Sequence, residues 1–448
     1  MAIRCEARGE TCRLRDGNTS PWRSAGTAQR RGRAFRAPNH TQSGKALATV
    51  GDSRSVTRYR VCERPRTDVE YIRYRQRKEF VMAARGIKAF KKIMQTTFDP
   101  DMVIPDEVKV PELTGDHSLA RNNLSQHPIP PGSLIWKYWG RLDVSFFGNA
   151  AMGPIAGAWP QMAQATAGSV LFTGDNSLRA RAKIYKERTR RSHEYIYSTV
   201  YDAPEDAKKY GLKIRNMHKP VKGKLKDGTF NALNAETFYF AHVTFFYYLL
   251  IRVVEQLHFD GSMPRAMKEQ IFEESKEWYS LLGVDDSAQP GTYDDFERYL
   301  ENIERNKLVR SQVTELMLEQ FMERRVAPRW WPPVMKKYVW PWLAARRQIV
   351  VNCYPAHVKD LFGLEWTPED EDMSRRFMHM YRRLSAVVER FVPLRLLYLP
   401  IAARGFEREG IDPRDVTLES AQRTLRESRA RWAAQKCSEG KEEVPTPG

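Results

Sequence analysis

A chain of 448 residues with 73 Lys and Arg against 55 Asp and Glu carries a formal net charge of +18, a balance that looks like that of a nucleic-acid binder until it is located. Residues 1–95 hold 23 Lys/Arg against 8 Asp/Glu and the remaining 353 hold 50 against 47, so the bulk of the chain is nearly neutral and offers no basic face for a specific nucleic-acid partner. The five cysteines, Cys5, Cys12, Cys62, Cys353 and Cys437, make no CxxC or CxxCH, which excludes a disulfide framework, a zinc ribbon and covalent haem attachment, and fits a reducing, cytoplasmic compartment.

Taken in order, residues 1–95 form an Arg-rich leader and linker, expected to be disordered because it is poor in aliphatic residues and shows no helical or strand period. No apolar run of signal-peptide length follows its first charges, and Met82 is an alternative start. Residues 96–132, with Pro100, Pro105, Pro111, Pro128, Pro130 and Pro131, form an extended arm. From Ser133 to about residue 410 the pattern is that of one large all-α domain with room to enclose a cofactor, followed at 411–448 by an amphipathic helix and tail. Helices are expected near 143–153, 155–171, 176–198, 204–218, 234–257, 264–282, 292–325, 334–352, 355–362, 369–392 and 413–435, and strand signals are sparse.

The stretch 212–258 carries the chemistry. Pro220 disfavours a helical Lys219, so an incoming helix ends there with Arg215 and His218 three apart on one face. After the turn Lys226-Asp227-Gly228, Asn231 or Asn234 can cap a helix that is apolar nearly all round and has His242 near its middle. Its 18 most apolar residues, 237–254, reach only the lower limit of a membrane span and include His242 and Arg252, so this is a core helix. A buried imidazole must satisfy its ring nitrogens, either with a carbonyl, hydroxyl or water, which is the commoner solution, or with a metal. Glu255-x-x-His258 has half of a di-iron bundle's spacing and occurs once, so it reads as an exposed helix end. His357 and His379 could line a pocket, but nothing singles them out. The aromatic stretch Trp330 to Trp342 suits packing between helices first, and a membrane interface or cofactor wall second. HExxH, GxSxG, Walker and GxGxxG signatures are absent from the sequence.

Arg215-x-x-His218, Gly223, Asp227-Gly228 and Ala241-His242 resemble the core motif of the haem b oxygenase family that includes latex-clearing rubber oxygenases and the mycophenolate-pathway oxygenase. Trp136-x-x-Trp139-Gly140, Pro160-Gln161, Asp175-x-x-x-Arg179 and Leu399-Pro400-x-Ala402-x-Arg404 extend the likeness over about residues 130–410. The resemblance implies a haem b iron held by His242 as proximal ligand, with Arg179, Arg215 and Phe246 in contact with the cofactor. Arg215, His218 and Lys219 would then be the catalytic distal group, with His218 a candidate second iron ligand. It implies dioxygen and a small apolar, lipid- or isoprenoid-like substrate as partners, with peripheral membrane contact as an accompanying expectation. Rubber-cleaving members carry Lys then Thr where this chain has His218 and Lys219, so their distal chemistry does not transfer directly. The alternative is a cofactor-free helical module that binds lipid or protein.

Overall fold

In a computed structural model of the chain the described residues are 127–167, 191–225, 228–319 and 346–442, with the short strand Gly115–His117 and the single residues Pro333 and Lys337. The leader, most of the Pro-rich arm, Asp175, Arg179, Asp227 and the tryptophans from Trp330 to Trp342 lie outside them. The described part is helical apart from one small sheet, which joins β1 (Gly115–His117), β2 (Lys222–Leu225) and β3 (Gly228–Asn231) in the order β1-β3-β2. β2 runs antiparallel to β3 and β1 parallel to it, and Lys226 and Asp227 of the expected turn lie outside the described residues.

The first two helices are α1 (Leu134–Trp139) and α2 (Leu142–Ala158). Ser133 caps α1, its Oγ accepting from Trp136 N at 3.2 Å. The expected break at Pro154 does not occur: α2 runs through that proline, and α3 (Pro160–Ala167) starts only after Trp159. Next come α4 (191–201 as described) and α5 (Pro204–His218), which has Pro204 and two acids in its first turn and ends where Pro220 requires.

Helix α6 (Ala235–His258) is the axis of the core. Asn234 is its cap, accepting from Thr237 N at 3.3 Å. Residues Thr244–Ile251 widen into a π-helical stretch. Although α6 is long and apolar enough to cross a membrane, 78% of its apolar window is buried inside the fold, so it serves as a core helix. α2 crosses it closely at Gly148, where a Cβ would lie 2.4 Å from Leu249 Cγ.

Beside α6 stand α7 (Arg265–Ser280) and α8 (Tyr293–Asn306), while α9 (Gln312–Leu318) packs on α2 and α3. The single helix expected over 292–325 is broken because Ser311 and Thr314 form a reciprocal capping box that starts a new one. Then come α10 (Arg346–Asn352), α11 (Ala356–Phe362), α12 (Pro368–Phe391), α13 (Leu394–Leu397), α14 (Pro400–Glu409) and α15 (Leu418–Glu442). Helix α14 was not expected. It has Pro400 in its first turn and ends on Gly410 at φ 65, a left-handed cap that suits glycine. Helix α15 lays Ala421, Leu425 and Ser428 inward, and Arg429 ties it to Glu277 and Glu273 of α7 at 2.6 and 3.0 Å.

Candidate functional site

His242 sits on α6 with 3% of its surface exposed. Burial pushes its imidazole down to about 3, so the ring is neutral. Its Nε2 lies 3.0 Å from the carbonyl of Ser275 on α7. A carbonyl only accepts, so Nε2 carries the proton and Nδ1 the lone pair. Trp278, Tyr279 and Phe246 surround the ring with centroids 5.0, 5.1 and 5.2 Å away, and Tyr239 follows at 6.3 Å. Phe246, one turn along α6, packs against the His242 ring.

Arg215 and His218 stand together on the last turn of α5, a helix held against the end of α7. At Gly211 a Cβ would fall 2.1 Å from the Leu281 carbonyl, which only glycine allows. Arg215 Nη1 donates to Gly283 O at 3.1 Å, while its buried Nε has no hydrogen-bond partner. His218 Nδ1 donates to Ile214 O at 2.8 Å, and the ring meets Phe238 edge-on at 5.6 Å. Phe238 in turn packs 6.3 Å from Tyr279, so His218 and His242 are linked through two aromatic rings. Lys219 is exposed at the helix end. An open depression of about 480 Å³ lies on the other flank of α5, against Lys209, Leu212, Lys213, Asn216 and Met217, and takes in none of these candidates.

The donor chemistry around His242 fits a haem in kind. The imidazole is neutral, its walls are aromatic, and the Arg215 guanidinium on the end of α5 has an N–H with no hydrogen-bond partner. Buried hydroxyls on Tyr239 and Tyr299, whose rings are 5.5 Å apart, have no hydrogen-bond partner. Each such orphan costs about 1–3 kcal/mol, which a bound group could relieve. The arrangement sets one condition: ligation through Nε2 requires the Ser275 bond to be given up.

Sequence patterns gave no sign of two further clusters. Glu304 on α8 is buried, which raises its carboxyl, and it accepts from Tyr248 OH and pairs with His357 Nε2 at 2.9 Å. Of Glu255 and His258, expected at an exposed helix end, the first is buried and the second largely covered. Glu255 binds Arg252 at 2.7 Å and Lys268 at 2.5 Å. His258 lies 3.2 Å from Asp143, which also takes Arg141 at 2.9 Å and Tyr381 OH at 2.8 Å. Burial would raise the Asp143 carboxyl, but Arg141 and His258 outweigh it and hold it well below the usual range. Such networks join residues far apart in the chain, so no local spacing announces them.

The helices thus enclose a neutral, solvent-shielded histidine on α6, with an arginine and a second histidine on the end of the neighbouring α5. Residues 136–383, more than half of the chain, match the family described as "ER-bound oxygenase mpaB/B'/Rubber oxygenase, catalytic domain". The chain belongs to that oxygenase family. No curated protein and no solved structure matches it.

Proposed function

We propose that the domain is a haem b-dependent oxygenase that uses dioxygen to oxidise a small apolar, lipid- or isoprenoid-like substrate. The observation that supports this most is the buried neutral imidazole of His242 inside the oxygenase-family segment, with orphaned hydrogen-bonding groups beside it. Bound haem would supply the iron at which dioxygen is activated. The chain's own residues do the rest. His242 would hold the iron if its Nε2 gave up the Ser275 carbonyl, and Phe246, Trp278 and Tyr279 would exclude water from it. Arg215 would pair with a propionate or orient oxygen through the N–H that has no partner here. His218 would serve as a second iron ligand or as a proton donor, with the exposed Lys219 beside it. Arg179, which lies outside the described residues, would be the further cofactor contact that the family resemblance assigns.

Purified protein supplied with haem should be red, with a Soret band of the b type, and His242→Ala should lose the pigment while keeping its helical circular dichroism. A six-coordinate low-spin ferric spectrum turning high-spin in His218→Ala would establish His218 as the second ligand, and an unchanged spectrum would remove it from that role. The second reading is a cofactor-free lipid- or protein-binding module, favoured by the bond that already satisfies His242 on Ser275. Colourless protein that stays folded in the presence of haem would select it.

A further inference from the structure

Helix α12 is held to the domain by one face. Ser374 Oγ donates to Gln348 O at 3.2 Å, Met378 is buried, Tyr381 OH donates to Asp143 at 2.8 Å, and Glu389 pairs with Arg141 at 2.7 Å. A different face carries apolar residues into solvent. Met373, Met380, Leu384, Val387 and Phe391 are exposed by 55, 50, 46, 56 and 71%. With half-buried Phe377 they recur at alternating steps of four and three, one continuous ridge on a helix already anchored elsewhere. Isolated exposed apolar residues need no explanation, but a ridge about 27 Å long does.

Arg376, Arg383 and Arg390 run parallel to this ridge at heptad spacing, all exposed. Arg376 is paired with Asp372 at 2.5 Å. Arg383 and Arg390 have no acidic partner among the described residues. The row argues against a second copy of the chain as occupant. In an antiparallel pair these arginines would face one another. In a parallel pair they would face Ser374, Tyr381 and Val388, none of them acidic, with the first two already turned to the core. A ridge of apolar side chains bordered on one side by cations matches a layered partner, anionic at one depth and apolar just below. The four acids at 369–372 would oppose contact at the start of the helix, so contact falls on its C-terminal two-thirds.

We propose that the exposed ridge of α12, from Met380 to Phe391, with Arg383 and Arg390 beside it, is a docking face for an anionic lipid bilayer. It holds whether or not the core takes up haem. The test is sedimentation of the full chain with vesicles of phosphatidylcholine alone or mixed with phosphatidylserine. Binding should require phosphatidylserine. Arg383→Gln and Arg390→Gln should each weaken it about fivefold, and Leu384→Asp with Phe391→Asp should weaken it by at least about tenfold. The altered side chains are exposed, so thermal melting should confirm an intact fold in every variant. Because the leader is itself basic, wild-type binding in the Leu384→Asp/Phe391→Asp protein would assign adhesion to the leader and overturn the proposal. So would failure to bind any vesicle, or a dimer in solution that these substitutions dissociate.

Discussion

Glu274 of α7 shows how one side chain can govern a helix it does not belong to. Its two carboxylate oxygens accept from Leu134 N at 3.0 Å and Ile135 N at 2.8 Å, so it caps α1 from outside. Burial lifts its carboxyl to about 7, although Gln270 and the two backbone donors pull the other way. The folded state therefore binds this proton more tightly than the unfolded chain does. Stability from this group is full below about pH 4.5 and is lost as pH rises towards 7, by about 1.4 kcal/mol per pH unit inside that window. Denaturant titrations from pH 4.5 to 7.5 should show a shallower loss in Glu274→Gln than in wild type, and identical slopes would refute the assignment. At this scale the sequence was informative about His242, because apolar residues on every side of it force it inward. It was silent about Ser275, Trp278 and Tyr279, which reach the ring only through the pairing of α6 with α7. It misjudged Glu255 and His258, since nothing in their spacing reveals that Lys268 and Asp143 fold over them.

Between elements, close approach decides more than propensity does. Gly211 lets α5 sit on the Leu281 carbonyl, and that contact fixes the helix end bearing Arg215 and His218. Gly211→Ala should gain up to about 1 kcal/mol of intrinsic helix preference and still destabilise the protein by about 1–3 kcal/mol, because a backbone carbonyl cannot move aside as a side chain can. The exposed Asn216→Ala on the same helix should change stability by no more than about 0.5 kcal/mol. Chemical denaturation of the pair separates packing from propensity: a stable Gly211→Ala would mean that α5 is free to shift. Helix starts were legible where their chemistry is local, as with Pro204 and its acids, or Asn234. The break between α8 and α9 was hidden because the apolar period continues across it, and only the Ser311–Thr314 box marks it. The strands escaped notice because three or four residues are too few to show a period of two.

For the molecule as a whole, the family segment and the folding unit do not coincide. The matched residues end at 383, inside α12, yet the helices beyond that point close the core. Glu389 pairs with Arg141, Tyr398 OH donates to Lys137 O at 2.8 Å, and Phe406 packs edge-on to Trp136 at 5.6 Å. Further on, Trp432 of α15 stacks on His127 at 5.4 Å and takes Lys208 over its ring at 4.8 Å. Ending the chain after Arg383 would leave Arg141 short of a carboxylate in a nearly closed site and uncover Trp136 and Tyr201, losses of several kcal/mol against a typical total of about 5–15. Such a protein should show red-shifted tryptophan emission and no cooperative melt, whereas a chain ending after Glu442 should melt as the full chain does. Equal melting of the two would mean that α13 to α15 decorate a core complete without them. The contacts across 137–141 and 389–406 argue instead that the oxygenase core needs its own C-terminal helices to exist.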